Sequence, residues 1–430
     1  MLSIWGKQQS SCCDGISRRN FLRVGTLGLA GLTLGDLLRL RAEQPAAGRL
    51  SRKAALMIYL PGGPPHHDTY DLKPDAPWEV RGEFQAIRTN VPGMDICELL
   101  PQQAKMADQF AIIRGIKFAN DDHNVDEVVT GFRPGAHRPA FGSVISRIRG
   151  QDNIPPYVSF GGLDLGSPVN PENPQYLGSA HRPFSPSGPG LRNLGLCPGV
   201  SLERLEDRRK LLGAFDQLDR DLDRSNAMAG MDAFNARAFD ILRSARAREA
   251  FDISREPDRV RQRYGVNTQL LIARRLLEAG VSVVTVGFTR PPGWDTHQNN
   301  FATMRKLLPE LDAALATLLT DLRDRNLDSE VTVLVWGEFG RSPRISPEVG
   351  RDHWPDAGCA LLSGGGLRTG QAVGATDSQG ARAKGNPYSV QNVLATLYRL
   401  LGIDPGQTFN DHTGRPQYLL DEREPIEALL

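Results

Sequence analysis

Three short, nearly continuous apolar runs constrain the fold most: residues 54–60 (AALMIYL), 281–288 (VSVVTVGF) and Val331–Trp336 (VTVLVW). Each is too short for a helix that could bury such a run, and each leads into a glycine-containing loop. That is the pattern of strands buried on both faces of a parallel sheet. Shorter strands are expected at 111–116, 157–160 and 359–362. Helical periodicity separates them, at 98–110, 124–132, 141–149, 268–279 (stopped by Gly280) and 389–401. A longer helix at 301–325 carries Leu307, Leu308, Leu311, Leu315, Leu318, Leu319 and Leu322 on one side, as a core-facing helix does. Strands alternating with helices predict an α/β fold, a three-layer sandwich around a mainly parallel central sheet. Residues 161–199 are dense in Pro, Gly, Ser and Asn and read as a long structured loop, and 201–251 as charged helix. No repeat or clean linker divides the chain, which predicts one domain over 48–430 with a helical insertion around 201–265.

The N-terminus carries an address. Ser17-Arg18-Arg19-Asn20-Phe21-Leu22-Arg23 precedes a weakly apolar run, 24–38, diluted by four glycines. A twin arginine before a mild hydrophobic stretch is the mark of a Tat export signal, here spanning 1–47. The run falls short of the ~20 residues that span a bilayer, so no span is expected in the mature chain. The Tat translocase is the expected partner in export, and the periplasm or the extracellular space the destination. Export through this route carries folded proteins, with any metal already in place.

Charge and cysteine usage exclude several functions. With 51 basic and 50 acidic residues the net charge is +1, and no global field draws in nucleic acid. Five cysteines without a CxxC pair give neither a zinc ribbon nor a thioredoxin site. Also absent are the nucleophile elbow, the phosphate loop, the dinucleotide fingerprint and the HExxH helix.

What remains is a clustering of histidines. Of eight in the chain, His66, His67, His123, His297 and His353 fall in loops after expected strands, each within two residues of an aspartate. Ligands of parallel α/β sheets bind beyond the carboxyl ends of the strands. Imidazole and carboxylate are the usual ligands of zinc and related ions. The four loops together therefore predict a metal centre of one or two divalent ions, with zinc, manganese and calcium all open.

Several motifs occur in an order that resembles a bacterial family, the domain of unknown function 1501. They are Gly62-Gly63-Pro64 through Asp71-Leu72-Lys73-Pro74, Thr130-Gly131, residues 271–280 (LIARRLLEAG), Trp294-Asp295-Thr296-His297, Glu338-Phe339-Gly340-Arg341, Gly350-Arg351-Asp352-His353-Trp354-Pro355 and Gly374-Ala375-Thr376-Asp377. The resemblance places the chain beside the alkaline phosphatase and sulfatase superfamily. It implies a parallel-rich sheet with two metal ions at the strand ends. By that resemblance Asp68, with His66 beside it, is the first-strand carboxylate. Asp295 and His297 form an Asp/His pair, Glu338 is a strand-end ligand, and Asp352 and His353 complete the set.

The chain departs from the superfamily at the nucleophile. The window before Thr130-Gly131 holds Asp121, Asp122 and His123 but no hydroxyl, and Pro65 stands where the family commonly has Ser. Direct attack by metal-activated water is then the expected chemistry, with His123 as a ligand or general acid and Arg341 clamping an oxyanion. The reading is an exported metal-dependent hydrolase of an anionic phosphate or sulfate ester. The alternative is a non-catalytic exported binding protein that keeps the fold and a structural ion.

Overall fold

The computed structural model describes residues 53–150, 154–163, 171–186, 244–288 and 293–430. The expected leader and most of the helical insertion lie outside them. Within the insertion, Ala245–Phe251 and Asp258–Tyr264 are helical.

The central sheet has seven strands, numbered here in chain order: β1 (Ala54–Tyr59), β2 (Phe110–Arg114), β3 (Tyr157–Ser159), β4 (Val283–Gly287), β5 (Val331–Trp336), β6 (Cys359–Gly364) and β7 (Gln371–Val373). Their spatial order is β7-β2-β6-β5-β1-β4-β3. All neighbours pair in parallel except β6, which runs antiparallel to both β2 and β5. The exception has a local cause. A parallel return needs a crossover, usually helical. Residues 337–358 form none, folding instead through a small ribbon in which Gly340–Arg341 pairs with His353–Trp354.

The three strongest apolar runs thus become the adjacent central strands β5, β1 and β4. In register, Tyr59 lies opposite both Trp336 and Gly287. The three strands therefore end level, and the loops that follow them leave from one edge.

Alternate residues of each strand feed opposite faces. Leu56, Ile58, Val284 and Val333 pack with α2 (Thr268–Glu278) and α3 (Asn300–Asp324), whose predicted leucine side is buried throughout. Met57, Tyr59, Val283 and Trp336 pack with α1 (Phe141–Arg149) and α4 (Val390–Leu400). Helix, sheet and helix make the expected three layers.

Two helices came out shorter than their periodicity predicts. The span 98–110 holds only the turns Pro101–Ala104 and Ala107–Gln109, and Asp312 of α3 accepts the Gln102 and Gln103 N–H groups, capping the start of the first turn from outside. The span 124–132 is reduced to Asp126–Thr130, ended by Gly131 at φ 87°. Among the described residues no helix is long and apolar enough to cross a membrane.

Candidate metal centre

Beyond the level ends of β1, β4 and β5, three imidazoles converge on one carboxylate. Asp295 follows β4. Its Oδ2 lies 3.2 Å from His123 Nε2, and its Oδ1 lies 3.1 Å from His297 Nε2 and 3.3 Å from His353 Nε2. His123, Asp295 and His353 each offer one ligand-type atom within 4.8 Å of the others. His297 stands beside this group, its Nε2 3.0 Å from that of His353 and 3.1 Å from Asp295 Oδ1.

The far side of each ring is committed. His123 Nδ1 meets Glu338 Oε1 at 2.8 Å, His297 Nδ1 meets Asp352 Oδ1 at 2.8 Å, and His353 Nδ1 meets the Asp121 carbonyl. A carboxylate or carbonyl can only accept, so each Nδ1 carries a proton, and a ring that gives up its second proton turns its Nε2 lone pair inward. Two such lone pairs facing each other at 3.0 Å repel unless a cation or a proton sits among them. Zinc–nitrogen bonds of about 2.0–2.1 Å in a tetrahedron hold nitrogens roughly 3.3 Å apart, close to the spacing seen here. Oriented imidazoles backed by carboxylate or carbonyl acceptors are the usual surroundings of a bound metal. The residues fit a divalent ion.

The carboxylates divide into two kinds. Burial opposes ionisation of Asp295, but hydrogen bonds from His123, His353 and Arg341 outweigh it and hold the carboxyl far below its usual range. Those from Asp295 and then Glu338 push His123 up to about 9. Glu338 itself is buried and saturated. Its Oε1 accepts from Gly62 N at 2.8 Å and from His123, and its Oε2 from Tyr59 Oη at 2.7 Å and Gly63 N at 3.1 Å. It stands behind His123, not among the inward-facing atoms, and Asp352 stands likewise behind His297.

The Gly-Gly turn explains much of this. Gly62 and Gly63 adopt φ of 110° and 67°, which favour glycine. A Cβ on Gly62 would lie 2.4 Å from Asp295 N, and one on Gly63 2.5 Å from the Phe339 ring. Their N–H groups hold Glu338 while their carbonyls accept from Arg341. Phe339 forms a buried floor, its ring centroid 4.2 Å from that of His353 and 5.3 Å from that of His123.

Five of the expected site residues stand outside the inward-facing group. Arg341 is no oxyanion clamp. It is buried, donating to Gly62 O, to Gly63 O at 3.0 Å, to Arg351 O at 2.9 Å and to Asp295 Oδ1 at 2.5 Å. Asp68 does not reach the imidazoles. Both it and Arg351 are fully buried, and the guanidinium grips both its oxygens, at 2.8 and 3.1 Å, while Asn300 donates a third bond at 2.8 Å. Its charge is neutralised within the protein. His66 also lies apart, its Nε2 on the Gly380 carbonyl at 2.8 Å and its Nδ1 buried without a partner. Glu338 and Asp352, expected as ligands, are the backing groups just described. Sequence reasoning missed Tyr59 and the Gly62 and Gly63 N–H groups, since a strand tyrosine and a turn carry no sign of what they will bond.

A family model described as "Protein of unknown function (DUF1501)" matches residues 52–430, and the chain belongs to that family. No curated protein matches it. Among solved structures it is similar to the PsFucS1 sulfatase from Pseudoalteromonas sp., at 12% identity and a TM-score of 0.36, covering 85% of this chain and 70% of that one. It is also similar to Ps i-CgsB, at 12% identity and a TM-score of 0.35, covering 82% and 72%.

Proposed function

We propose that this chain is an exported metal-dependent hydrolase of anionic esters of the phosphatase and sulfatase kind, holding one divalent ion on His123, Asp295, His297 and His353. The observation that carries the reading is the convergence of three Nε2 atoms on Asp295 with every Nδ1 tied to an acceptor. When bound, the ion supplies positive charge to an ester oxyanion and activates water. The chain's own residues orient that chemistry. Glu338 fixes the His123 ring, Asp352 the His297 ring, and the Asp121 carbonyl the His353 ring. Arg341 keeps Asp295 ionised, and Phe339 excludes water from beneath the cluster.

The centre is partly open, with His297 46% and Asp295 36% exposed, which gives a substrate access from solvent. Thr296, between Asp295 and His297, donates its Oγ1 to Asn300 Oδ1 at 2.8 Å, and two other threonines bond within their own turns. Thr69 Oγ1 donates to Pro65 O at 2.9 Å and Thr130 Oγ1 to Asp126 O at 2.6 Å. Direct attack by water is therefore favoured over a covalent ester of the chain. The same observation favours the second reading, a binding protein with a structural ion.

A panel of phosphate monoesters, phosphodiesters and sulfate esters, offered to the metal-loaded chain, separates the two. Hydrolysis lost on chelation and restored by a divalent ion supports the hydrolase. Inactivity on the whole panel with the ion bound leaves the binding protein.

A further inference from the structure

Immediately after His123 the chain enters the wall of a separate cavity of about 270 Å³, lined among others by Asn124, Asp126, Arg133, His137, Arg138 and Asn173. That is just under the ~300–1,000 Å³ usual for small-molecule pockets, enough for one compact charged group.

The lining is biased towards donors. Asn124 Oδ1 accepts from Asp126 N at 2.8 Å, and Asn173 Oδ1 from Gln175 N at 2.9 Å. A main-chain N–H can be met only by the amide oxygen, so each side chain is left with its Nδ2 donors for a ligand. Arg138 is held in place by Tyr418 O at 3.1 Å and by Asp421 Oδ1 at 3.9 Å, with its guanidinium 4.3 Å from the Phe132 ring centroid. Arg133 and His137 have exposed side chains, the first close enough to Glu127 and the second to Asp126 to hold those carboxyls down against the push of burial. The one carboxylate in the lining, Asp126, is half-buried, and burial pushes its carboxyl up. His137 and Gln175, at φ 52° and 47°, are two of five non-glycine residues in the left-handed region among the described residues, and both line this cavity. Such strain collects where a site must be held in shape.

We propose that this cavity is a second oxyanion site, which takes an anionic group of the substrate other than the ester held at the metal centre. The proposal rests on the hydrolase reading for the source of the anion, and it narrows the substrate to esters with at least two oxyanionic groups. Arg133 supplies a planar fork for such a group, and the two Asn amides supply neutral donors.

Calorimetric titration with inorganic sulfate tests the site itself. The full chain, with metal removed by chelation, should bind one sulfate. Arg133→Gln should weaken that binding at least tenfold. Asn173→Asp keeps the oxygen that Gln175 N needs but replaces the donor with a carboxylate, so it should abolish binding without unfolding the chain. Asp295→Ala should leave it intact. No sulfate bound after chelation, or binding indifferent to both cavity variants, overturns the proposal.

The source of the anion is read with the metal-loaded chain and two probes, propane-1,3-diyl bisphosphate and propyl phosphate. The bisphosphate should bind at least tenfold more tightly, and Arg133→Gln should erase the difference. Equal affinities would overturn the substrate-borne source even where sulfate binds. The hydrolase reading fails separately, if the chain holds no metal or cleaves no ester while the sulfate site persists.

Discussion

His297 and His353 face each other Nε2 to Nε2 at 3.0 Å, although the other nitrogen of each ring is already engaged with an oxygen acceptor. Neither ring can flip its tautomer to relieve that contact without leaving Asp352 or the Asp121 carbonyl facing a lone pair. The pair is thus set for a cation.

Glu338 acts through His123. Glu338→Gln keeps the size of the side chain but loses the charge, and it can satisfy only part of the four-donor cradle. Metal affinity should fall by about 10–100-fold, the usual cost of disturbing a group behind a ligand. Competition with a fluorescent chelator measures it, and unchanged affinity would remove Glu338 from the metal's surroundings.

Asp68 behaves as a structural anion. Arg351→Met leaves Asp68 buried and unpaired, which should cost about 3–5 kcal/mol. The variant should still bind metal at a stoichiometry equal to that of the unaltered chain. Denaturant unfolding and metal analysis of one sample check both halves. Metal lost from a variant that stays folded would return Asp68 to the ligand set.

The metal-free chain should lose stability in alkali. The folded value of His123, about 9, lies above the ordinary histidine value of 6.5. Its contribution is therefore fully present below about 6.5 and is lost as pH rises through 9. Asp295 is shifted the other way, so its contribution is present above the ordinary aspartate range and is lost only in strong acid. A divalent ion must displace the His123 proton, so its apparent affinity should rise with pH by about tenfold per unit below 9. Melting temperatures of chelated and loaded samples from pH 6 to about 10 test this. A chelated chain with a flat profile over that range contradicts the assignment.

Gly62 tolerates no side chain. Gly62→Ala drives a Cβ to 2.4 Å from Asp295 N and strains a backbone at φ 110°. Backbone strain alone costs about 1–3 kcal/mol. The variant should unfold at lower denaturant and hold metal more weakly, because the same turn grips Glu338 and Arg341. Native stability together with native metal affinity would show that the turn has room to move.

Much of this was legible in the sequence. The runs that became β1, β4 and β5 announce buried parallel strands, and the histidine-bearing loops fall where the sheet's carboxyl edge lies. Three of the four inward-facing residues, Asp295, His297 and His353, were expected as ligands, and His123 as ligand or general acid. What could not be read was the partner each carboxylate would meet. Glu338 looks like any strand-end ligand until Tyr59 and the Gly62 and Gly63 N–H groups occupy its oxygens. Asp68 looks like one until Arg351, 283 positions away, neutralises it. Such competition is settled by tertiary contacts that no local pattern records. The antiparallel course of β6 follows the same logic, since it depends on a ribbon forming where a crossover helix could have stood.

One divalent ion held on His123, Asp295, His297 and His353 would show itself in the metal content per chain. Elemental analysis of the full chain, purified from its native host, should find close to one divalent ion per molecule. The Asp295→Ala/His297→Ala variant, shown to be folded by circular dichroism, should hold almost none. No stoichiometric metal in the unaltered chain, or full retention in the double variant, would contradict the account.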